Sequence, residues 1–243
     1  MTSPTGNTIN AIVWDYDGTL VDSREKNLNV TRKIVERVAG LESARFPALQ
    51  SLESYMQNNR AMRNWRDLYT KTFGLTEEQT DEAGKLWSEY QLNDATPTAL
   101  FEGMRDTLVA LQHFFHGIVS QNSHGAISRV LSANALDHIF RSIIGYEEVD
   151  LRRQKPDPTG LLVCIKALTQ WKHGDVLYVG DHETDMECVV NTNRVLKEQE
   201  REIRVISVGV SYSSERDFPG WNSKPDYEAK TVADLITIVK SLS

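Results

Sequence analysis

The sequence predicts an α/β protein built on a parallel sheet, with an all-helical segment inserted after the first strand. Three observations carry this. Short apolar runs rich in β-branched residues recur along the chain with little polar alternation, as expected of strands covered on both faces. Amphipathic helical patterns lie between those runs, and alternating strands and helices imply right-handed crossovers in one parallel sheet. Residues 23–96 break the alternation, with several helical stretches and no convincing strand.

The first strand is the run INAIVW at 9–14, which ends in the turn-forming DYDGT. In the inserted segment Leu28, Val35 and Val38 share a helical face. Thr76-Glu77-Glu78-Gln79 fits a capping box and is followed by Ala83, Leu86, Trp87 and Tyr90. The expected division is a core of residues 1–22 and 97–243 and a helical cap of residues 23–96, hinged near 21–24 and 95–100. Within the core, Met104, Leu108, Leu111 and Phe115 fall on one helical face before a strand at 117–120. A strand at 142–144 precedes a helix carrying Leu161, Leu162, Ile165 and Leu168, with Asp157 as N-cap and Pro158 in the first position. Strands at 176–179 and 203–210 follow. The charged stretch 191–202 between them reads as a solvated helix extension or loop.

Composition excludes several classes. The 243 residues carry 27 Lys and Arg against 34 Asp and Glu, a net charge of −7, which argues against a nucleic-acid backbone binder. No apolar run approaches the roughly 20 residues of a membrane helix. The opening MTSPTGNTIN has neither a basic nor an apolar region, so no export signal is expected there. Cys164 and Cys188 form neither a disulfide framework nor a metal-binding pair. The expectation is a cytoplasmic protein.

The chemistry concentrates in Asp15-Tyr16-Asp17-Gly18-Thr19. Two carboxylates two residues apart at a strand end repel unless a cation or proton separates them. At the end of a parallel strand they face the crevice where α/β folds bind ligands. One carboxylate can attack phosphorus, and a second can protonate a leaving alcohol and then activate water. Gly18 lets the chain turn sharply beside them. Asp and Gly are also ordinary turn residues, so the motif draws its force from its position.

Asp15 through Ser23, DYDGTLVDS, resembles the first signature of the haloacid dehalogenase-like hydrolases. The similarity is greatest to the helical-cap branch that includes phosphoglycolate phosphatases and β-phosphoglucomutases. The resemblance implies a Rossmann-like parallel core with an inserted helical cap. It implies Asp15 as nucleophile, Asp17 as general acid and base, and Mg²⁺ bound by the Asp15 carboxylate and the Asp17 carbonyl. The remaining signatures follow in order. Ser120 ends a strand in Val119-Ser120-Gln121-Asn122; its hydroxyl can donate to a phosphoryl oxygen. Gln121 departs from the family's usual residues. Lys155 stands before Pro156 and offers an ammonium to nucleophile and phosphate; Arg152 and Arg153 are rival cations that fit the pattern less well. Gly180-Asp181-His182-Glu183-Thr184-Asp185 supplies Asp181 as a direct oxygen ligand and Asp185 as a further or water-mediated one. Glu183 ranks below Asp181. His182 departs from the family pattern and reads as a hydrogen-bonded structural residue. Gly18, Ser120, Gln121 and Lys155 are the expected phosphate-binding set.

The expected activity is Mg²⁺-dependent hydrolysis of a small-molecule phosphomonoester, of the phosphoglycolate or sugar-phosphate type, through an aspartyl-phosphate. A β-phosphoglucomutase-like phosphomutase is the alternative. Asp17 and the Gly180–Asp185 signature argue against a dehalogenase, and the intact motif set argues against a silent binding protein. Arg60, Arg63 and Arg66 recur at three-residue spacing and would share a face if their segment is helical; they could meet an acidic group or form a solvated face. Trp65 and Tyr69 read as cap core.

Overall fold

A computed structural model describes residues 8–62, 64–213 and 218–242. The expected absence of an export signal falls largely on residues outside these, as does Arg63. In chain order the elements begin with β1 (Ile9–Trp14) and β2 (Val21–Asp22). The helices α1 (Arg24–Ala39), α2 (Leu52–Ala61), α3 (Trp65–Asp67) and α4 (Glu77–Asn93) follow. Then come β3 (Ala99–Leu100), α5 (Met104–Ala110), β4 (Phe115–Val119), α6 (His124–Ala133) and β5 (Phe140–Ile144). The chain continues with α7 (Thr159–Thr169), β6 (Gly174–Gly180), α8 (Glu183–Glu198), β7 (Ile203–Val210), β8 (Tyr227–Ala229) and α9 (Val232–Leu242).

Six strands form a parallel sheet in the order β5-β4-β1-β6-β7-β8. Side chains alternate between faces along each strand, and both faces are covered. Ile12, Trp14, Leu177, Val179, Ile206 and Val208 join α5, α6 and α9 in one apolar cluster. Ala11, Val13, Val176, Tyr178 and Val205 join α7 and α8 in another. This two-sided burial is why the strands read as continuous apolar runs. The order reverses at β1, which has β4 on one side and β6 on the other; ligand crevices open at such a point, beyond the carboxyl ends of the strands.

Helices α1–α4 form the cap over that end, with a core of their own around Leu28, Ile34, Val35, Tyr55, Tyr69 and Phe73. The short strands β2 and β3 pair antiparallel, Val21 with Leu100 and Asp22 with Ala99, so the chain leaves the core and returns to it side by side. Thr76 and Gln79 make the expected reciprocal capping box of α4.

Two local readings shift, one strand is unforeseen and one reading holds. Phe115 does not extend the face of α5; the helix stops at Ala110 and Phe115 opens β4. The N-cap of α7 is Pro158, and Asp157 accepts from the Thr159 amide at 2.9 Å from one place earlier. The edge strand β8, in the polar stretch SKPDYEAKT, had no apolar signature to reveal it. The charged stretch at 191–202 is largely the outer end of α8. Among the described residues no helix is long and apolar enough to cross a membrane.

Candidate active site

Parallel strands end on one edge of the sheet, and that edge gathers the predicted residues. Asp15 follows β1, Ser120 follows β4 and Asp181 follows β6. The Asp15 amide donates to the Val179 carbonyl at 2.8 Å, tying the ends of β1 and β6 together. The carboxylates of Asp15, Asp181 and Asp185 are all buried, and their oxygens lie within 4.8 Å of one another. Lys155, carried in by the loop before α7, places Nζ 2.6 Å from both Asp15 Oδ1 and Asp185 Oδ1. The Tyr178 hydroxyl lies 3.2 Å from the same ammonium.

The charges are strained by this proximity. Burial pushes the Asp15 carboxyl well above the usual carboxylate range; Lys155 pulls it back, while Asp185, Asp181 and Asp17 push it up again. Burial pulls the Lys155 ammonium down, yet Asp15 and Asp185 hold it well above its ordinary value. A close set of buried carboxylate oxygens beside one ammonium suits a hard cation. The donor set therefore fits Mg²⁺.

Asp17 points away from that cluster into a clamp of neutral donors. It accepts from the Ser23 hydroxyl, from Asn27 Nδ2 at 3.3 Å, and from Asn122 Nδ2 at 3.0 and 3.1 Å to its two oxygens. Burial pushes this carboxyl up too, against the pull of those three donors. Gly18 adopts φ +80°, and a Cβ there would stand 2.4 Å from Asp181 Oδ2. Only glycine satisfies both the turn and the packing. Ser120 is buried, and its Oγ accepts from the Asn122 amide at 3.0 Å, leaving its own hydrogen to donate. Gln121 reaches the Lys155 carbonyl at 3.3 Å.

His182 is the N-cap of α8; its Nδ1 accepts from the Thr184 amide at 3.2 Å, as a structural residue would. Glu183 is committed elsewhere, accepting from the Asn222 amide at 2.6 Å. Arg60 and Arg66 belong to different helices, so the expected shared face does not exist. Arg66 is paired with Glu77 and Asp81, both at 2.6 Å. A cavity of about 190 Å³ runs from the carboxylates up into the cap. Trp65 and Tyr69, read from the sequence as cap core, also line it.

Sequence reasoning assigned no role to Asn122, Ser23, Asn27 or Tyr178. Ser23 and Asn122 stood inside quoted motifs, but nothing in their spacing shows that both converge on Asp17. Asn27 and Tyr178 carried no such signal.

Residues 12–195 match the haloacid dehalogenase-like hydrolase family. Among curated relatives, a pyrophosphatase PpaX of Listeria monocytogenes is 24% identical over 241 residues, covering 96% of this chain and 97% of its own. A phosphoglycolate phosphatase of Mannheimia succiniciproducens is 27% identical over 168 residues, covering 68% and 69%. Among solved structures, a predicted phosphatase of Clostridium acetobutylicum superposes with a TM-score of 0.72 at 15% identity, covering 96% of this chain and 99% of that one. A subfamily IA hydrolase of the same superfamily from Geobacter sulfurreducens gives 0.57 at 21%, covering 98% and 100%.

Proposed function

The chain belongs to the haloacid dehalogenase-like hydrolase family, and from that premise we propose that it is a Mg²⁺-dependent phosphatase of a small phosphorylated metabolite, with Asp15 as nucleophile. The observation that carries this is the buried cluster of Asp15, Asp181 and Asp185 with Lys155 at 2.6 Å from two of them. We take residues 23–96 as the cap domain and 1–22 with 97–243 as the core.

Asp15, Asp181 and Asp185 would hold Mg²⁺, with the Asp17 carbonyl as the further ligand that the family resemblance implies. When bound, the ion supplies charge neutralisation for the phosphoryl oxygens and the transition state. Lys155 pulls the Asp15 carboxyl down against the effect of burial and, with the Ser120 hydroxyl, faces the incoming phosphate. Gly18 and Gln121 complete the phosphate cradle. Asp15 attacks phosphorus through a carboxylate oxygen. The bond from phosphorus to the leaving oxygen breaks, and Asp17 hands that oxygen a proton. Asp17, now ionised, takes a proton from water as the water oxygen bonds to phosphorus. The bond to Asp15 breaks and inorganic phosphate leaves. Ser23, Asn27 and Asn122 hold Asp17 on the leaving-group side for both steps. The cap excludes bulk water while the acyl phosphate exists.

The test is phosphate release from a panel of phosphomonoesters, with pyrophosphate and phosphoglycolate included because relatives are named for them, in Mg²⁺ and in chelator. Turnover should require the metal. Asp15→Asn should retain the fold by circular dichroism and lose turnover by at least about a thousandfold. Undiminished turnover in that variant would remove Asp15 from its role. Isomerisation of a sugar 1-phosphate without free phosphate would instead identify a mutase.

A further inference from the structure

The chamber above the carboxylates is walled by aromatic rings. Tyr55, Trp65, Tyr69 and Trp87 enter it from the cap, and Tyr146 enters from the core just beyond β5. Trp65 meets Tyr69 edge-on at 5.9 Å between centroids and Tyr146 at 6.4 Å. Gly84 of α4 makes room for this assembly. A Cβ there would lie 2.6 Å from the Tyr146 hydroxyl oxygen and 2.9 Å from Trp65 Cη2. Three polar groups among these rings, the Tyr69 hydroxyl, the Trp87 indole N–H and the Tyr146 hydroxyl, are buried with no hydrogen-bond partner among the described residues and with almost no surface open to the chamber. The surface that the rings turn to the chamber is therefore largely carbon, which favours a flat aromatic group.

Cations are placed differently from what an acidic leaving group needs. Arg24 lines the lower wall but is bonded to both carboxylate oxygens of Asp22, at 2.7 and 2.5 Å. Arg66 faces Glu77 and Asp81. Arg60 lines the chamber but is exposed, which puts it at the rim. Among the described residues lining the chamber no cation stands among the rings, where a carboxylate or second phosphate would lose its hydration.

We propose that the chamber selects phosphomonoesters whose leaving alcohol carries a flat aromatic ring, over phosphoglycolate, sugar phosphates and pyrophosphate. This rests on the phosphatase reading and names its substrate class. The phosphoryl group sits on the floor beside Asp15 and Lys155. The ring lies among Trp65, Tyr69, Trp87 and Tyr146, where edge-to-face and offset contacts are available.

Binding of non-hydrolysable phosphonates in Mg²⁺, read by tryptophan fluorescence and by calorimetry, tests the chamber without turnover. The probes are 2-phenylethylphosphonate, 2-(pyridyl)ethylphosphonates and 3-phosphonopropionate, which share one phosphonate and one two-carbon arm. The expected order puts the ring compounds about tenfold or more tighter than the carboxylate, with a change in indole emission. Equal affinities, or a tighter carboxylate, would overturn the proposal. Trp87→Leu should lower the ring-to-carboxylate affinity ratio by about fivefold; a folded variant with an unchanged ratio would also overturn it. A parallel comparison of kcat/KM for benzyl phosphate and phosphoglycolate separates the two layers of the argument. If neither ester is hydrolysed and the wider panel is silent, the phosphatase reading fails while the phosphonate order still judges the chamber. If phosphoglycolate is the better substrate, the phosphatase reading stands and the aromatic preference falls.

Discussion

On the floor of the site each charged group is held by another polar group. Lys155 is shared between Asp15 and Asp185, and Asp17 is held by Ser23, Asn27 and Asn122. In the chamber above, rings rest on rings and on the backbone of Gly84. The floor is built at the ends of three parallel strands, where the sheet fixes positions closely. The chamber is built mainly by helices that join the core through the β2–β3 pair. On the proposed function, charge placement on rigid elements sets which reaction can occur, and shape and apolar surface on the cap set which molecule reaches it.

This contrast can be broken from either side. The largest effect is expected from Asp17→Asn, which keeps the shape of the clamp but removes the proton carrier. Turnover should fall by about 10²–10⁴-fold with KM little changed, and steady-state kinetics on the best substrate would show it. A loss confined to KM would move Asp17 from the chemistry to binding. Next comes Gly18→Ala. Its Cβ would stand 2.4 Å from Asp181 Oδ2 on a backbone at φ +80°, so Asp181 must shift. Magnesium affinity by calorimetry should weaken about tenfold, and stability in urea should fall by about 1–2 kcal/mol. Unchanged metal affinity would mean that Asp181 is not held where the ion sits.

The smallest effect is expected from the cap glycine. Gly84→Ala puts a methyl against Tyr146 and Trp65, and about 1 kcal/mol of overpacking would raise KM about fivefold with kcat retained. The same change favours the α4 helix by about 1 kcal/mol in propensity, so thermal stability should not fall in proportion. A drop in kcat equal to that of Asp17→Asn would show that floor and chamber are not separable.

The five long core strands were legible because burial on both faces leaves continuous apolar runs such as Ile9–Trp14 and Ile203–Val210. β8 was not, because a short edge strand with an exposed Tyr227 needs little apolar surface. Asp15, Lys155, Asp181 and Asp185 were nameable from motif order and do gather at one place. Asn122 and Asn27 were not nameable as partners of Asp17. They come from β4's end and from α1, and only folding brings them within hydrogen-bonding reach. Whether Arg60 and Arg66 share a helix was not legible either: α2 ends at Ala61 and α3 starts at Trp65, so the two belong to different helices.

By itself, then, the sequence determined the α/β class, the inserted helices and the motifs whose carboxylates gather. Apolar periodicity and turn-forming motifs are local, and they survive being read one residue after another. The tertiary structure alone decided that Asp17 is clamped by three neutral donors, that Gly18 must be bare beside Asp181, and that rings from the cap and from the core share one chamber. Those facts depend on distances between residues far apart in the chain, which are set when the sheet orders its strands and the cap closes over their ends.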